Sequence, residues 1–268
     1  ALMWANQGFL RCGTPDGPQP SRRFMSCYAV DLVREPDGCW RVLADRVGRG
    51  NGIGLAIENR RQMARAIPEL FSGMAVQPVG SFLEQWQESV LLGGPAGIAN
   101  PSIALLTPGP SSPHWGEHVI LARELSCALV EAGDLTVREG QLWLKTVRGL
   151  RRVDVLIIRQ QGTSIDPLEL DGAGAGGISG LLDAARSGSV RLMNDPRAEF
   201  SEALGLSPFM PEICRELLGE DMLLETVETL WCGAAGQDET GARILFPGAA
   251  AGSRPDAPSP DRVRATSP

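Results

Sequence analysis

The sequence of 268 residues has one lysine, one tyrosine and two histidines, and its six cysteines form no CxxC pair. It has no basic block and its net charge is −7, so nucleic acid is not an expected partner. No apolar run approaches the roughly 18 residues of a membrane helix, and the first residues lack the basic start of a secretory signal. We therefore expect a cytoplasmic protein with reduced thiols and no membrane partner.

The composition predicts a globular chain followed by a tail of different character. Hydrophobic residues make up 43% of the chain and charged residues 21%, which is enough apolar material for a sizeable core. After residue 233 the sequence becomes rich in Ala, Gly, Pro and Ser, a composition that cannot bury enough surface to order itself. We expect one domain over residues 1–233 and a disordered tail over residues 234–268.

Short apolar runs alternate with amphipathic stretches along the chain, which is typical of an α/β fold. Residues 102–108 and 151–159 are apolar without alternation, as in strands that are buried on both faces of a parallel sheet. We predict an α/β fold with a mixed, mostly parallel sheet and flanking helices. The other predicted strands are 27–33, 39–44, 189–195 and a hairpin over 134–147; the predicted helices are 53–71, 81–92, 114–133, 199–219 and 221–231.

The central stretch of the sequence is residues 42–61, which read VLADRVGRGNGIGLAIENRR. A strand ends near Asp45, a glycine-rich loop follows, and a helix begins near Ile53. This order gathers backbone N–H groups and a helix N-terminus at one point, which is a general anion site. Asp45, at the strand end, is placed to face a metal held on that anion. The alternative is an ordinary connecting loop whose glycines serve tight turns.

The two histidines lie in the pattern His114-x-x-Glu117-His118, which matches inverted zinc peptidases. On a helix both imidazoles would share one face, with Glu117 beside them as a base. Pro113 and Gly116 place the motif in the first turn of the helix, and the sequence identifies no third ligand. The alternative is a helix N-terminus whose dipole is complemented by Glu117.

Several stretches, in the same order over residues 6–233, resemble the circularly permuted ATP-grasp family. Glu58-Asn59-Arg60 opens the helix after the glycine loop, as it does in that family. The other matching stretches are 6–11, 106–110, 117–123, Arg159 with 166–170, and 231–233. The resemblance implies a partial circularly permuted ATP-grasp domain.

The family resemblance implies activation of a carboxylate by ATP and Mg²⁺, followed by attack of an amine to form an amide. It assigns Asp45 to the metal, and it assigns Arg60 and Arg159 to catalysis. Glu117 and His118 fall in the substrate pocket. The residues implied in ATP binding are Asn51, Gly52, Asn59 and Arg60.

The sequence departs from the family at three places. Ala44 and Arg46 stand where the family has Glu and Asn, which removes two oxygen ligands of the kind that Mg²⁺ needs. Residues 161–163 are Gln-Gly-Thr where the family has an acidic cluster. The family's phosphate-binding lysine lies downstream, whereas the lysine of this chain is Lys145. We therefore expect the chain alone to be inactive.

The expected function is a fragment of, or a degenerate, ATP-dependent carboxylate–amine ligase of the circularly permuted ATP-grasp type. A glutamate–cysteine ligase-like activity is what the resemblance implies. The expected partners are small carboxylate and amine substrates and the remainder of the ATP-grasp domain. Two alternatives of other classes remain open: a zinc-dependent hydrolase through His114, Glu117 and His118, and a non-catalytic binding module.

Overall fold

The computed structural model describes residues 25–74, 78–170 and 176–229. The predicted tail over 234–268 and the family-like segments at 6–11 and 231–233 lie outside these ranges. The strands in the described ranges are β1 Ala29–Arg34, β2 Trp40–Arg46, β3 Ile103–Leu106, β4 Ala128–Val130, β5 Leu135–Arg138, β6 Gln141–Thr146, β7 Gly149–Arg152, β8 Val155–Ile158 and β9 Arg191–Met193. The α-helices there are α1 Ile53–Ala66, α2 Pro68–Gly73, α3 Gly80–Leu92, α4 Trp115–Glu124, α5 Leu181–Arg186 and α6 Met210–Leu218.

A four-stranded parallel sheet in the order β4-β3-β8-β9 forms the centre of the fold. One face carries Leu105 and Ile157 and packs on α3 and α4. The opposite face carries Leu106 and Leu156 and packs on α5 and β6. All four side chains are buried, which is why these strands are apolar without alternation. The predicted α/β fold with parallel central strands and flanking helices is confirmed.

The strand predicted over 151–159 is two strands in two different sheets. Residues up to Arg152 belong to β7, which extends the predicted hairpin into a three-stranded antiparallel sheet with the order β5-β6-β7. Residues from Val155 onward belong to β8 of the parallel sheet. Asp154 lies at the change, where its backbone N–H donates to Ser102 O and its carboxylate accepts from Ser102 N at 2.8 Å. An apolar run cannot reveal such a change of sheet.

Two predicted helices are shorter in the structure. The helix predicted over 53–71 ends at Ala66, because Pro68 has no N–H to donate, and a new helix begins at Pro68. The helix predicted over 114–133 ends at Glu124. Ser126 adopts φ 51°, which turns the chain into β4, the edge strand of the parallel sheet.

The helices predicted near the C-terminal end of the described chain are also corrected. Residues 196–202 and 204–209 form 3₁₀ turns, and the regular helix there is α6. Residues 221–229 are not helical, and Thr226 forms a parallel bridge with Val42 of β2. Backbone pairing with a distant strand overrides a helical pattern in this segment.

The N-terminal hairpin and the first two helices contribute little to the core. In α1 the buried residues are Gly54 and Ile57, and α2 has none. No helix in the described ranges is long and apolar enough to cross a membrane.

Candidate functional site

A polar residue lies directly after each of the strands β3, β8 and β9 of the parallel sheet. Thr107 follows β3, Arg159 follows β8 and Asn194 follows β9. The carboxyl ends of parallel strands meet at one edge, which is where open α/β sheets bind ligands. The loop between β2 and α1, residues 47–52, contacts this edge. We call Asn51, Glu117, His118 and Arg159 the Arg159 cluster.

Arg159 is 4% exposed, and one edge of its guanidinium has no partner within the described part of the chain. Nη1 donates to Gly50 O at 2.9 Å, and the guanidinium carbon lies 5.1 Å from the centre of the Trp86 ring. Nε and Nη2 have no hydrogen-bond partner among the described residues. Burial lowers the pKa of Arg159, while Cys27 and Glu117 oppose that shift. A neutral thiol is only a weak acceptor, so Cys27 does not satisfy these donors.

Glu117 is 1% exposed and holds the start of α1. Its Oε1 accepts from Gly52 N at 2.6 Å and from Gly54 N at 3.2 Å. The carboxylate therefore satisfies amides at the positive end of the helix. Glu117 Oε2 is buried and has no partner within the described ranges. A Cβ at position 54 would lie 2.9 Å from Glu117 Cγ, so Gly54 permits this approach.

His118 is also 1% exposed, and it is neutral at pH 7. Burial lowers its pKa to about 4, with smaller contributions from Arg159 and His114. Nδ1 and Thr107 Oγ1 lie 2.8 Å apart, whereas Nε2 has no partner in the described chain.

The described residues add no third zinc ligand to His114 and His118. The His114 and His118 rings are 6.3 Å apart, centre to centre. The described residues contain no group of three or more His, Cys, Asp or Glu side chains that could hold a metal ion. Glu117, the proposed base, uses one oxygen to cap α1.

Four amides of the glycine loop and the start of α1, a stretch predicted to bind phosphate, donate to carboxylates of the chain itself. Gly52 N and Gly54 N donate to Glu117, and Val47 N and Gly48 N donate to Glu202. Gly52 has φ 113°, a conformation that favours glycine. Asn51 Oδ1 is buried without a partner among described residues.

Asn59 and Arg60 lie farther along α1. Arg60 lies eight positions after Gly52, which corresponds to about 12 Å along a helix. Arg60 lies over the Phe71 ring at 5.4 Å, and Asn59 is exposed. The structure therefore brings together Asn51, Gly52, Glu117, His118 and Arg159 from the predicted set, with Asn59 and Arg60 on a different part of the helix.

Asp45, the predicted metal ligand, lies in β2 and accepts a hydrogen bond from Tyr28 OH at 2.6 Å. Burial and this contact raise the pKa of Tyr28. Because side chains alternate along a strand, Asp45 lies on the face opposite Ala44 and Arg46. Arg46 pairs with Asp31, Nη2 to Oδ2, at 2.6 Å. The face of β2 that carries Ala44 and Arg46, where the family has oxygen ligands, therefore offers no carboxylate to a metal.

Lys145 lies outside the Arg159 cluster. Its ammonium donates to Gly133 O at 2.8 Å, and it lines a cavity of 560 Å³ together with residues 132, 133, 135–137 and 176–179. No member of the Arg159 cluster lines this cavity.

Sequence reasoning missed Asn194, Glu199 and Glu202. Asn194 Oδ1 accepts from Ser26 N at 2.8 Å and from Cys27 N at 3.1 Å, and Nδ2 donates to Cys27 O and Val47 O. The two glutamates contact the glycine loop from a stretch that was predicted to be helical. The position of Asn194 near the carboxyl end of the predicted strand 189–195 was the available signal for it.

Comparison with protein families matches residues 1–242 to circularly permuted ATP-grasp type 2. The chain belongs to this family. It is 33% identical over 237 residues to the uncharacterized protein Rv2567 of Mycobacterium tuberculosis, covering 88% of this chain and 27% of that protein. It is 36% identical over 203 residues to the uncharacterized protein sll0335 of Synechocystis, covering 76% of this chain and 42% of that protein. The chain thus spans less than half the length of these relatives.

Proposed function

We propose that this chain is the carboxylate-binding part of, or a degenerate form of, an ATP-dependent carboxylate–amine ligase of the circularly permuted ATP-grasp type. The observation that carries this proposal is the edge of the Arg159 guanidinium, at the carboxyl end of the parallel sheet, that has no partner among the described residues. Nε and Nη2 form the side of the guanidinium that binds a carboxylate with two parallel hydrogen bonds. Family membership supports the reaction class.

The surroundings of Arg159 favour a bound anion. Its guanidinium is buried, so a carboxylate there would be attracted in a medium of lower dielectric than water. Trp86 and Gly50 hold the guanidinium in place, so a ligand would meet a preorganised group. The Glu117 Oε2 and Asn51 Oδ1 acceptors lie in the same cluster, and they suit the N–H groups of an amine.

The described residues do not fit Mg²⁺ or the phosphates of ATP. Magnesium needs several oxygen ligands, and no three candidate ligands come together in the described ranges. Of the loop amides, those of Val47, Gly48 and Gly52 already donate to Glu202 and Glu117. We therefore place phosphoryl transfer on residues beyond those described, and propose as partners the remainder of an ATP-grasp domain and small carboxylate and amine substrates.

The first test is carboxylate binding to the full chain, measured calorimetrically with glutamate as the probe. Arg159→Lys keeps the charge but loses the two-donor edge, so we expect binding to weaken at least about tenfold. Arg215→Lys, on the exposed face of α6, is the matched control and should leave the affinity unchanged. Equal affinities of wild type and Arg159→Lys would overturn the assignment.

The second test is ligation by the chain alone, followed as ADP release with ATP, Mg²⁺, glutamate and a panel of amines. We expect no turnover above a control without enzyme, because phosphoryl transfer requires neutralised phosphate charge. Turnover that is lost on Asp45→Ala would overturn this expectation and show that residues of this chain carry the chemistry.

A further inference from the structure

Thr107 and Arg159 are neighbours at the carboxyl edge of the parallel sheet. Leu106 of β3 pairs in register with Ile158 of β8, and Arg159 N donates to Leu106 O at 2.9 Å. Because side chains alternate along a strand, Thr107 and Arg159 both lie on the face that packs on α3 and α4. His118 of α4 contacts Thr107 on this face, so the imidazole lies beside the guanidinium.

The Thr107 hydroxyl has two partners among the described residues. Oγ1 lies 3.2 Å from Gly109 N, which can only donate, and 2.8 Å from His118 Nδ1. Gly109 adopts φ 98°, and a Cβ there would lie 2.8 Å from Glu131 Oε2, so glycine permits the turn that brings this N–H to the hydroxyl. Thr107 is 1% exposed, so its hydroxyl proton needs an acceptor within the protein.

These contacts decide which ring nitrogen of His118 carries the proton. Burial and the Arg159 charge lower the pKa of His118 to about 4, so at pH 7 one nitrogen donates and the other accepts. If Nδ1 accepts from the Thr107 hydroxyl, both groups are satisfied and the proton is on Nε2. If Nδ1 carried the proton, the hydroxyl proton would be buried with no acceptor in the described chain. The first arrangement leaves fewer buried groups unpaired, so it is favoured.

The Arg159 cluster then has three buried donors without an acceptor among the described residues. They are Nε and Nη2 of Arg159 and the Nε2–H of His118. A carboxylate has two oxygens with about four acceptor sites, so it can take two bonds from a guanidinium and a third from an imidazole. The three donors together therefore suit an anion better than the guanidinium alone does.

We propose that His118 donates a hydrogen bond from Nε2 to the anion that binds Arg159, and that Thr107 is the positioning residue that fixes this tautomer. Gly109 N orients the hydroxyl by occupying one of its lone pairs, which leaves the hydroxyl proton for Nδ1. The identity of the anion as a carboxylate rests on the proposed function, whereas the tautomer of His118 does not.

The tautomer is measured directly by ¹⁵N NMR of the imidazole groups in the full chain at pH 7. The sequence has two histidines, so His114→Gln leaves the His118 ring alone in the spectrum. We expect Nε2 to carry the proton and to show a one-bond coupling to it, with Nδ1 as the unprotonated nitrogen. A protonated Nδ1, or comparable amounts of the two tautomers, would overturn the proposal.

Two variants test whether Thr107 positions the imidazole. Thr107→Val keeps the shape of the side chain without the hydroxyl, so the Nδ1 resonance should move downfield as the nitrogen loses its donor. Thr107→Ser keeps the hydroxyl and should retain the wild-type resonances, and this comparison does not depend on the folding of the valine variant. An unchanged Nδ1 resonance in Thr107→Val, or loss of the wild-type resonances in Thr107→Ser, would remove Thr107 as the positioning residue.

Glutamate binding to the full chain, measured calorimetrically at pH 7, tests the donor. His118→Leu removes Nε2–H, so we expect binding to weaken at least about tenfold, as for loss of one hydrogen bond to a charged group. His118→Gln supplies an amide N–H in place of Nε2–H and should recover most of the affinity. His114→Leu, at the exposed N-cap of α4, is the matched control and should bind as wild type does. Equal affinities of His118→Leu and wild type would overturn the donor role.

This proposal and the proposed function fail in different ways. Binding that is weakened by Arg159→Lys but unchanged in His118→Leu would leave the proposed function intact and overturn this inference. No glutamate binding by wild type would overturn the proposed function, and with it the donation to a carboxylate. The ¹⁵N spectrum would still decide the tautomer of His118 and the role of Thr107, because neither measurement needs a ligand.

Discussion

The parallel sheet and the N-terminal region, residues 29–73, are held together by different interactions. The sheet forms its own apolar core on both faces, with Leu105, Leu106 and Leu156 fully buried. In the N-terminal region large apolar side chains such as Leu55 and Leu70 remain about half exposed. The sheet therefore gains stability from burial, whereas the region that carries the glycine loop depends on specific contacts with the sheet.

Those contacts are mostly polar and lie at the carboxyl ends of the strands. Glu117 binds the start of α1, Arg159 binds Gly50, and Asn194 binds Val47. Arg61 of α1 pairs with Glu124 of α4. The candidate site is thus also the joint between the two regions, so a ligand that binds there is placed to change how they fit together.

The largest effect is expected from a cavity in the sheet core. Leu156→Ala should lower the free energy of unfolding by about 3 kcal/mol, because Leu156 is 0% exposed and packs on α5 and β6. Leu55→Ala, at a site that is 54% exposed, should change it by less than about 0.5 kcal/mol. Urea unfolding measures both. Equal losses would show that the N-terminal region has an apolar core of comparable weight.

A smaller loss, of about 2–3 kcal/mol, is expected from Asn194→Ala. Its amide binds Ser26, Cys27 and Val47, and removing it leaves backbone groups unpaired. Limited proteolysis should then cut the segment around β1 and β2 sooner than the sheet. Asn59→Ala, at an exposed position of α1, is the control. Cleavage of the β1–β2 segment and of the sheet at the same rate would mean that Asn194 does not specifically hold that segment on the sheet.

The sequence predicted the parallel sheet well, because buried strands such as Val155–Ile158 carry a signal in each residue. It failed where one run serves two sheets, at residues 151–159, and where Ser126 turns the chain into β4. Both depend on pairing with distant strands, which local pattern does not contain.

The candidate site could be predicted only in part, because some of its contacts also depend on segments that are distant in sequence. Arg159, Glu117 and His118 lie in motifs, and the structure brings them into one cluster. That the loop amides bind Glu117 and Glu202 follows from tertiary packing, and a glycine loop looks the same whether a phosphate or a side-chain carboxylate fills it. Glu199 lies in a stretch with a helical pattern that forms a 3₁₀ turn instead.

The Glu199 carboxyl group should also make the free energy of unfolding depend on pH. The pKa of Glu199 in the folded chain is about 7, against an ordinary value of 4.5, so between these values the folded state binds more protons than the unfolded state. Stability from this group is complete below pH 4.5 and is lost as the pH rises to about 7, by about 3 kcal/mol.

His118 gives a slope of the opposite sign between pH 4 and 6.5, because its pKa is lowered to about 4. His118 is present in both wild type and Glu199→Gln, so its contribution cancels when their unfolding free energies are subtracted. We expect the variant to gain on wild type as the pH rises from 5 to 8, measured by urea unfolding at each pH. A difference that is constant with pH would place the pKa of Glu199 outside this window.

The smallest effect is expected from the ion pair that joins α1 to α4. Arg61 Nη1 lies 2.7 Å from Glu124 Oε1 and Nη2 lies 2.8 Å from Oε2, but Arg61 is 41% exposed. Water and salt screen such a pair, so a double-mutant cycle with Arg61→Ala and Glu124→Ala should give a coupling below about 1 kcal/mol, decreasing further in 1 M salt. Arg123 also contacts Glu124, so the cycle is repeated in an Arg123→Ala background. A coupling above about 2 kcal/mol that persists in salt would mean that this pair, more than Asn194 and Glu117, joins the two regions.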